Sequence, residues 1–502
     1  MLRIEIINPL SRITKIQLNL QVLAPDILPR VIEEALQLLR SPGVKVGSPE
    51  AIELLHSSGA QVNLNDGIVQ IPEELILNSL ETAPHDFYLY NADGDPAVHY
   101  SDNEIHFDPG SSGVHILDSE SLEHRASKTA DLIQIIKITE FLSEYDAQST
   151  AVICHDVPEE IGDFYRLFLV LLLSKKPIVT GAFSTLTSQV MFDMLQISAE
   201  SSGEMNKKPR AIFDVCPSPP LNWTDFASQN LIDLARNNIP AQIVSMPLSG
   251  AAAPVTLMGS IVQHAAECLS GITIHQLANP GAAIVWGGAP ALFNMRDGTT
   301  SVGSVETMLM VNGYAQVGKF LDLPTHAYLV ATDAKLIDAQ AGMESASSAF
   351  LGVLSGINMI SGAGMLDFLA CQSLEKLVID AEAIANAKRF LQGITLHSDS
   401  LALDHFKDFE FPGNFLAHKL TRQLFRSEQY FPSPVIDRGS LRSWKEKGSN
   451  DIFIRAKIRA KELLSIYHPP DIPPEIERAL YQLVSTLARK AGMDNLPEIT
   501  HR

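Results

Sequence analysis

HAYLVATDAKLIDAQAGMESASSAFLGVLSGINMISGAG, His326 to Gly364, contains two runs of one kind separated by a run of another. HAYLVATD is short and apolar and ends in polar residues, as a strand entering a loop does. AQAGMESASSAFLGVL is rich in Ala and is long enough for about four helical turns. INMISGAG then starts a second strand-like run that ends in small residues. Strand, helix and strand in succession predict a parallel pair with a helical crossover, because parallel neighbours cannot be joined by a tight turn.

The same grammar extends upstream. Strand exits are expected at IHFDPG (105–110), TAVICHD (150–156), PIVTGAF (177–183), RAIFDV (210–215), AQIVSM (241–246) and AAIVWGG (282–288). Each is followed by an amphipathic or wholly apolar segment, such as PEEIGDFYRLFLVLLL, DFASQNLIDLARN or MGSIVQHAAECLSGITIHQL. About eight such units predict an α/β fold of the closed (β/α)8 TIM-barrel type over residues 101–394. The alternative is an open doubly wound sheet, but no GxGxxG opens the first helix as a dinucleotide-binding sheet would want.

Two flanks lie outside this pattern. Residues 1–100 predict an N-terminal α+β cap: helices over DILPRVIEEALQLLR, SPEAIELLHSSG and PEELILNSLETA, and a hairpin at VNLNDGIVQI whose Asn-Asp-Gly suits a tight turn. Residues 395–502 predict an aromatic connector, HFKDFEFPG, and a C-terminal helical extension of three helices that packs on the barrel or on a partner. Its apolar positions suggest self-association into a homo-oligomer.

Composition narrows the function. The 502 residues are 46% hydrophobic and 19% charged, and the formal charge is -20. That field repels phosphate polymers and anionic membrane surfaces, so neither nucleic acid nor membrane is an expected partner. The four cysteines are scattered, which suits a reducing compartment. The opening MLRIEIINPL lacks an apolar leader core, and LFLVLLL (167–173) is too short to span a bilayer, so a cytoplasmic protein is expected.

Barrels of this kind work at the C-terminal ends of their strands. The residues expected there are Asp108, His155, Asp156, Thr180, Phe183, Asp214, Cys216, Ser249, Trp286, Thr332, Asp333, Ser361, Gly362 and Gly364. Small residues recur among them, in GSSG, GAFS, SGAAA, WGG and SGAG, and leave a mouth able to admit a bulky partner. Phe183 and Trp286 with Asp108, Asp214 and Asp333 would make a pocket for a cation, since aromatic faces and carboxylates both attract quaternary ammonium. A zinc site from Cys154, His155 and Cys216 is a second possibility, although no Cys-x-x-Cys is present. His264 and His275, within a long helix, read as structural; Arg296 and Asp297 either meet a ligand carboxylate or pair with each other.

Several stretches carry a resemblance. SPGVKVGSPEAIELLHSSGAQVNLNDGIVQIPEELILNSLETAP, HFDPGSSGVHILD, LSGAAAPVTLMGSIVQHAAECLSGI, WGGAPALFNMRDGTTSVGSVE, TDAKLIDAQAGMES and KLVIDAEAI, in this order, resemble the trimethylamine methyltransferase family. The resemblance implies a (β/α)8 barrel that passes a methyl group from a methylated amine to the cobalt of a corrinoid (cobalamin) carried by a separate protein. Archaeal trimethylamine enzymes of this kind contain pyrrolysine, whereas this chain is written in standard residues. It is therefore similar to the non-pyrrolysine branch, which implies a quaternary substrate such as glycine betaine, or alternatively proline betaine, carnitine or γ-butyrobetaine.

With that expectation, Trp286 and Phe183 would contact the ammonium, Asp214 and Asp333 would add negative potential, and Arg296 or His155 would hold a substrate carboxylate. Asp333 is the expected catalytic residue. Gly110, Gly250, Gly287 and Gly362 would leave room for the corrinoid. A zinc-dependent methyltransferase and a non-catalytic subunit that binds amine or corrinoid protein remain the alternatives.

Overall fold

A computed structural model describes residues 20–63, 65–199, 208–397, 400–407, 409–411 and 413–499. The opening MLRIEIINPL, on which the reading of a missing leader rests, lies outside them. Among the described residues no helix is long and apolar enough to cross a membrane.

Eight parallel strands form one sheet in chain order: β1 (His106–Pro109), β2 (Gln148–Ser149), β3 (Ile178–Thr180), β4 (Ala211–Val215), β5 (Ala241–Ile243), β6 (Ile284–Gly288), β7 (Thr325–Tyr328) and β8 (Met359–Ala363). β8 returns to β1 with Met359 opposite His106 and Ile360 opposite Phe107. At the remaining seam the Asp146 and Ala147 N–H groups donate to the Phe107 carbonyl at 2.8 and 3.3 Å, which brings the sheet to a nearly closed barrel.

The crossovers are α1 (Thr129–Phe141), α2 (Gly162–Leu173), α3 (Thr185–Ala199), α4 (Asp225–Arg236), α5 (Leu257–Ala278), α6 (Val305–Phe320), α7 (Ala339–Leu354) and α8 (Leu374–Leu391). Five of them start at a side-chain cap: Thr224, Thr256, Ser304, Asp338 and Ser373 each accept from an N–H of the first turn. Such caps each stabilise by about 1 kcal/mol and fix where strand-exit loops become helix. The KLVID motif has a structural role of the same kind. Buried Lys376 donates to the Val330 carbonyl at 3.0 Å and to Asp380 at 2.5 Å, while Asp380 accepts from Gly364 N–H at 2.8 Å. One ion pair thus holds the exits of β7 and β8.

Two strands differ from expectation. β2 lies at Gln148–Ser149, not within 150–156. After Ser149 the chain leaves the barrel, Val152 bridges Gly113, and His155 N–H donates to the Ser127 carbonyl at 3.0 Å. The apolar TAVIC run is therefore buried against loops. β7 ends at Tyr328, because Val330 takes a left-handed φ of 66° that an extended chain cannot continue through. HAYLVATD is thus half strand and half loop.

The cap elements appear where expected: helices Ile27–Arg40, Pro49–Ser57 and Glu73–Thr82, and strand Gln61–Asn63 paired antiparallel to Ile68–Gln70. Cap strand Val44–Val46 runs parallel to Asn222–Trp223, which fastens the cap to the loop between β4 and α4. A further hairpin, Phe87–Tyr90 with Pro96–Tyr100, has no counterpart in the sequence reading. Its Leu89, Val98 and Tyr100 pack with Ala147, Val179, Ile212, Val285 and Met359 at the strand starts and plug the N-terminal end of the barrel. Beyond α8 the described residues hold four helices, not three: Lys419–Glu428, Leu441–Glu446, Ile452–Ser465 and Pro474–Lys490. Ile452–Ser465 packs on α8 and α1, and Pro474–Lys490 on α2 and α3, so this tail lies on the barrel.

Candidate active site

With the N-terminal end plugged, the cavity of this barrel opens at the other end. A space of about 370 Å³ is lined by Ser111 and Ser112 after β1, Gly181 to Phe183 after β3, Asp214 to Cys216 at the end of β4, the start of α4, Met246, Ala289, Tyr328 and Leu369. A crevice at the opposite end, beside Asn91 and Arg210, offers only about 40 Å³, room for little more than water.

Asp214 is the centre of the cavity's polar chemistry. Its carboxylate accepts from Gln242 Nε2 at 2.7 Å and from the Tyr328 hydroxyl at 2.9 Å. Ser111 Oγ lies 2.9 Å from the Tyr328 hydroxyl, and the Tyr100 hydroxyl donates to Gln242 Oε1 at 3.2 Å. A hydrogen-bonded chain therefore runs from the plug up to the mouth. Burial pushes the Asp214 carboxyl up to about 6, and the hydrogen bonds from Gln242 and Tyr328 restrain the rise. At neutral pH it is mostly ionised, held by neutral donors and facing no side-chain cation across the cavity. Among the described residues that line the space, none is Lys, Arg or His.

A second carboxyl behaves differently. Asp108, fully buried, is raised well above the carboxylate range by burial, with Asp214 nearby adding to the rise and a 2.5 Å hydrogen bond from Ser361 opposing it. His326 Nε2 lies 3.1 Å from Ser361 Oγ, and burial lowers this imidazole to about 3, so it stays neutral. Two neighbouring carboxyls cannot both ionise cheaply in such a site, and the one open to the cavity takes the charge.

Phe183 is 62% exposed at the rim, and the Arg166 guanidinium lies 5.3 Å from its ring centroid. Asp163 accepts from the Phe183 N–H at 2.7 Å and lies 3.5 Å from Arg166, so this pair from α2 positions the ring. The backbone is also strained here. Ser112 has φ 61°, and Asp367, Phe368 and Leu369 run consecutively at 51°, 56° and 73°. Ser112 and Leu369 line the cavity. Non-glycine residues in this region cost on the order of 1–3 kcal/mol each and cluster at functional sites.

The other expected site residues lie elsewhere. Strand alternation turns Trp286 away from the barrel interior that Val285 faces: its indole is fully buried and donates to the Tyr314 carbonyl of α6 at 3.0 Å. Asp333 accepts from Val302 N–H at 2.8 Å, Gly303 N–H at 3.0 Å and the Ser301 hydroxyl, and so ties down the loop into α6. Lys335 donates to the Asp333 carbonyl at 2.7 Å and sits 3.7 Å from the Phe368 ring centroid. His155 and Arg296 are exposed and outside the cavity lining, the first beyond the early end of β2 and the second at the tip of a hairpin.

The four glycines follow backbone approach. A Cβ on Gly287 would lie 2.5 Å from the Ile243 carbonyl oxygen, and one on Gly362, at φ 120°, 2.4 Å from that of Leu329. Gly110 backs onto Met365, and Gly250 occupies the turn after Ser249. None of the four lines the cavity. His264, at 3.0 Å from the Gly287 carbonyl and stacked 4.1 Å from Tyr314, is the structural histidine expected. His275 is buried as well.

Cys216 lines the cavity and Cys154 is buried apart from it; burial pushes both thiols up to about 12, so both are neutral. Among the described residues no three His, Cys, Asp or Glu side chains converge as metal ligands would.

Tyr328, Gln242 and Asn230 are among the lining or supporting residues that the strand-end reading passed over. Gln242 was readable as a large polar residue inside the largely apolar strand run AQIVSM. Asn230 was readable as a polar residue on the helix face of Ala227, Leu231 and Leu234. Tyr328 was hidden by the misplaced end of β7.

Comparison with known proteins agrees with the architecture. The family model described as trimethylamine methyltransferase matches residues 4–493. A trimethylamine methyltransferase of Methanosarcina mazei is 30% identical over 478 residues, covering 93% of this chain and 95% of the relative. A protein of Desulfitobacterium hafniense named glycine betaine methyltransferase is 26% identical over 427 residues, covering 84% and 88%. Among solved structures, the monomethylamine methyltransferase of Methanosarcina barkeri superposes with a TM-score of 0.53 at 13% identity, over 94% of this chain and 88% of that one, a likeness of fold.

Proposed function

Because this chain belongs to the trimethylamine methyltransferase family, we propose that it moves a methyl group from a quaternary amine, glycine betaine foremost, to the cobalt(I) of a separate corrinoid protein. The observation that carries this reading is the cavity itself: an ionised Asp214 held by neutral donors, an aromatic rim at Phe183 and no cationic side chain in the lining. Such a space favours a cation. The relative named for glycine betaine supports the same choice.

Chemistry supports it too. An unprotonated tertiary amine would have to expel an amide anion, a poor leaving group, whereas a quaternary ammonium expels a neutral tertiary amine, the C–N electron pair returning to nitrogen. No general acid is needed, and among the described residues that line the cavity none is Lys, Arg or His. A pyrrolysine adduct is likewise unnecessary. When docked, the corrinoid supplies a strongly nucleophilic cobalt(I). Ser111, Gly181, Ala182 and Ala289 are small residues of the lining that would leave it room. This chain's own residues then bind the ammonium at Asp214 and Phe183, point one N-methyl outward and exclude water. We place the reaction in the cytoplasm, where neutral, unpaired cysteines persist.

A thermal-shift screen of betaines against mono-, di- and trimethylamine tests the substrate class. A ligand at 100 times its Kd stabilises the folded state by about 2.7 kcal/mol, a readable shift. Stabilisation by a quaternary amine is expected. Stabilisation by trimethylamine alone would return the substrate to a tertiary amine.

A further inference from the structure

The cavity has a second pole, on the side of α4. Thr224, Phe226, Ala227 and Asn230 line it there. Asn230 is 1% exposed, and among the described residues neither its Nδ2 nor its Oδ1 has a hydrogen-bond partner. The other polar lining side chains are mostly engaged. Ser111 and Tyr328 serve Asp214, Ser112 accepts from Arg166 at 3.2 Å, and Thr224 accepts from Ala227 N–H at 3.1 Å. Asn230 therefore stands out as a buried amide without a protein partner in the wall of the cavity. A buried polar group without a partner is a standing cost, and one beside a cavity is explained by a ligand that supplies the partner.

The character of that ligand group follows from the surroundings. α4 presents its N-terminal turn to the cavity, so its partial positive charge favours an anion on this side. Asp214, at the end of β4, holds negative charge in the same cavity. We propose that Asn230 Nδ2 donates to the carboxylate of a zwitterionic substrate whose quaternary ammonium lies at Asp214, so that the two poles read both ends of a betaine. This rests on the quaternary-amine reading above and assigns to Asn230 the carboxylate role expected of Arg296 or His155. It also makes the site a selector of betaines over quaternary amines that lack a carboxylate.

Calorimetric titration of the full chain with glycine betaine and with choline, for wild type, Asn230→Leu and Asn230→Ala, tests the assignment. Leucine is close in size and removes only an unpaired amide, so the melting temperature of Asn230→Leu is expected to hold or rise. Its affinity for glycine betaine is expected to fall about 10-fold or more, the loss typical of a hydrogen bond to a charged group, with choline changing less than about 2-fold. Should Asn230→Leu pack poorly, Asn230→Ala gives the same contrast, with choline affinity reporting an intact site. Unchanged betaine affinity, or equal loss of both ligands in a folded variant, overturns the role of Asn230 and leaves the quaternary-amine reading standing. A wild-type protein that binds trimethylamine but neither quaternary ligand sinks that reading, and this inference with it.

Discussion

Asp214 and Asp333 are both carboxylates beyond or at the end of a barrel strand, yet they occupy opposite kinds of surroundings. Asp333 accepts from two backbone N–H groups and a hydroxyl of one loop, and burial does not separate it from that loop. Among the described residues Asp214 accepts from the side chains of Gln242 and Tyr328, at the edge of a cavity, with its carboxyl raised to about 6. The difference teaches how to tell a carboxylate that builds from one that binds. Backbone donors that saturate the acceptor mark architecture; neutral side-chain donors beside open space leave charge for a ligand.

The contrast breaks most directly at Asp214. Asp214→Asn removes the charge while keeping the shape, and is expected to weaken quaternary-amine binding on the order of 100-fold, the scale of a partly buried charge interaction. Titration calorimetry checks it; a loss under 3-fold would leave Asp214 no better than a structural residue. The same variant has an opposite signature in stability. A carboxyl raised to about 6 favours the fold when protonated, so its contribution is present in acid and is lost as pH rises through about 6. Above that pH the ionised group costs on the order of 3 kcal/mol in the empty protein. Asp214→Asn should therefore melt higher than wild type at pH 8, with the difference shrinking as pH falls from about 6 to about 4.

The pH dependence of binding is the next largest effect. Cation affinity requires ionised Asp214, so wild type at pH 5 is expected to bind about 10-fold more weakly than at pH 8, with the midpoint near 6. A flat profile, or one that Asp214→Asn retains, would assign the pole to another group. Phe183→Ala should cost several-fold in affinity, in keeping with roughly 0.5–2 kcal/mol for an aromatic–cation contact. Asp333→Ala closes the comparison from the other side. It is expected to lower stability by about 1–3 kcal/mol, as loss of a saturated acceptor does, while amine affinity per folded molecule changes less than 2-fold. A large affinity loss there would bring Asp333 back into the site.

How far this was legible in the sequence depends on the scale of the feature. Strand-then-helix alternation is a local pattern repeated around the barrel, and it predicted the closed fold, the cap helices and the crossovers. What escaped it depended on contacts distant in sequence. The 87–100 hairpin counts as a plug only because Leu89 and Val98 meet Val179, Ile212 and Val285. β2 ended early because Gly113 and Ser127 draw the following residues outward. That shift of a few residues carried His155 out of the site, and the turn at Val330 moved the end of β7 from Asp333 back to Tyr328. Asp214 and Phe183 were expected at the mouth and do line the cavity, because β3 and β4 end where the pattern places them. Trp286 was misjudged by one residue of alternation, enough to turn it to the helix layer.

The central claim is methyl transfer from a quaternary amine, with Asp214 as the cation-holding residue. Its most direct test is cobalt(I) methylation, followed by absorbance of a supplied cognate corrinoid protein, with full-length wild type and Asp214→Asn. Glycine betaine or another quaternary amine is expected to drive the spectral change in wild type and to lose nearly all of its rate in Asp214→Asn. Equal rates in the two proteins, or turnover with trimethylamine and with no quaternary amine, would contradict it.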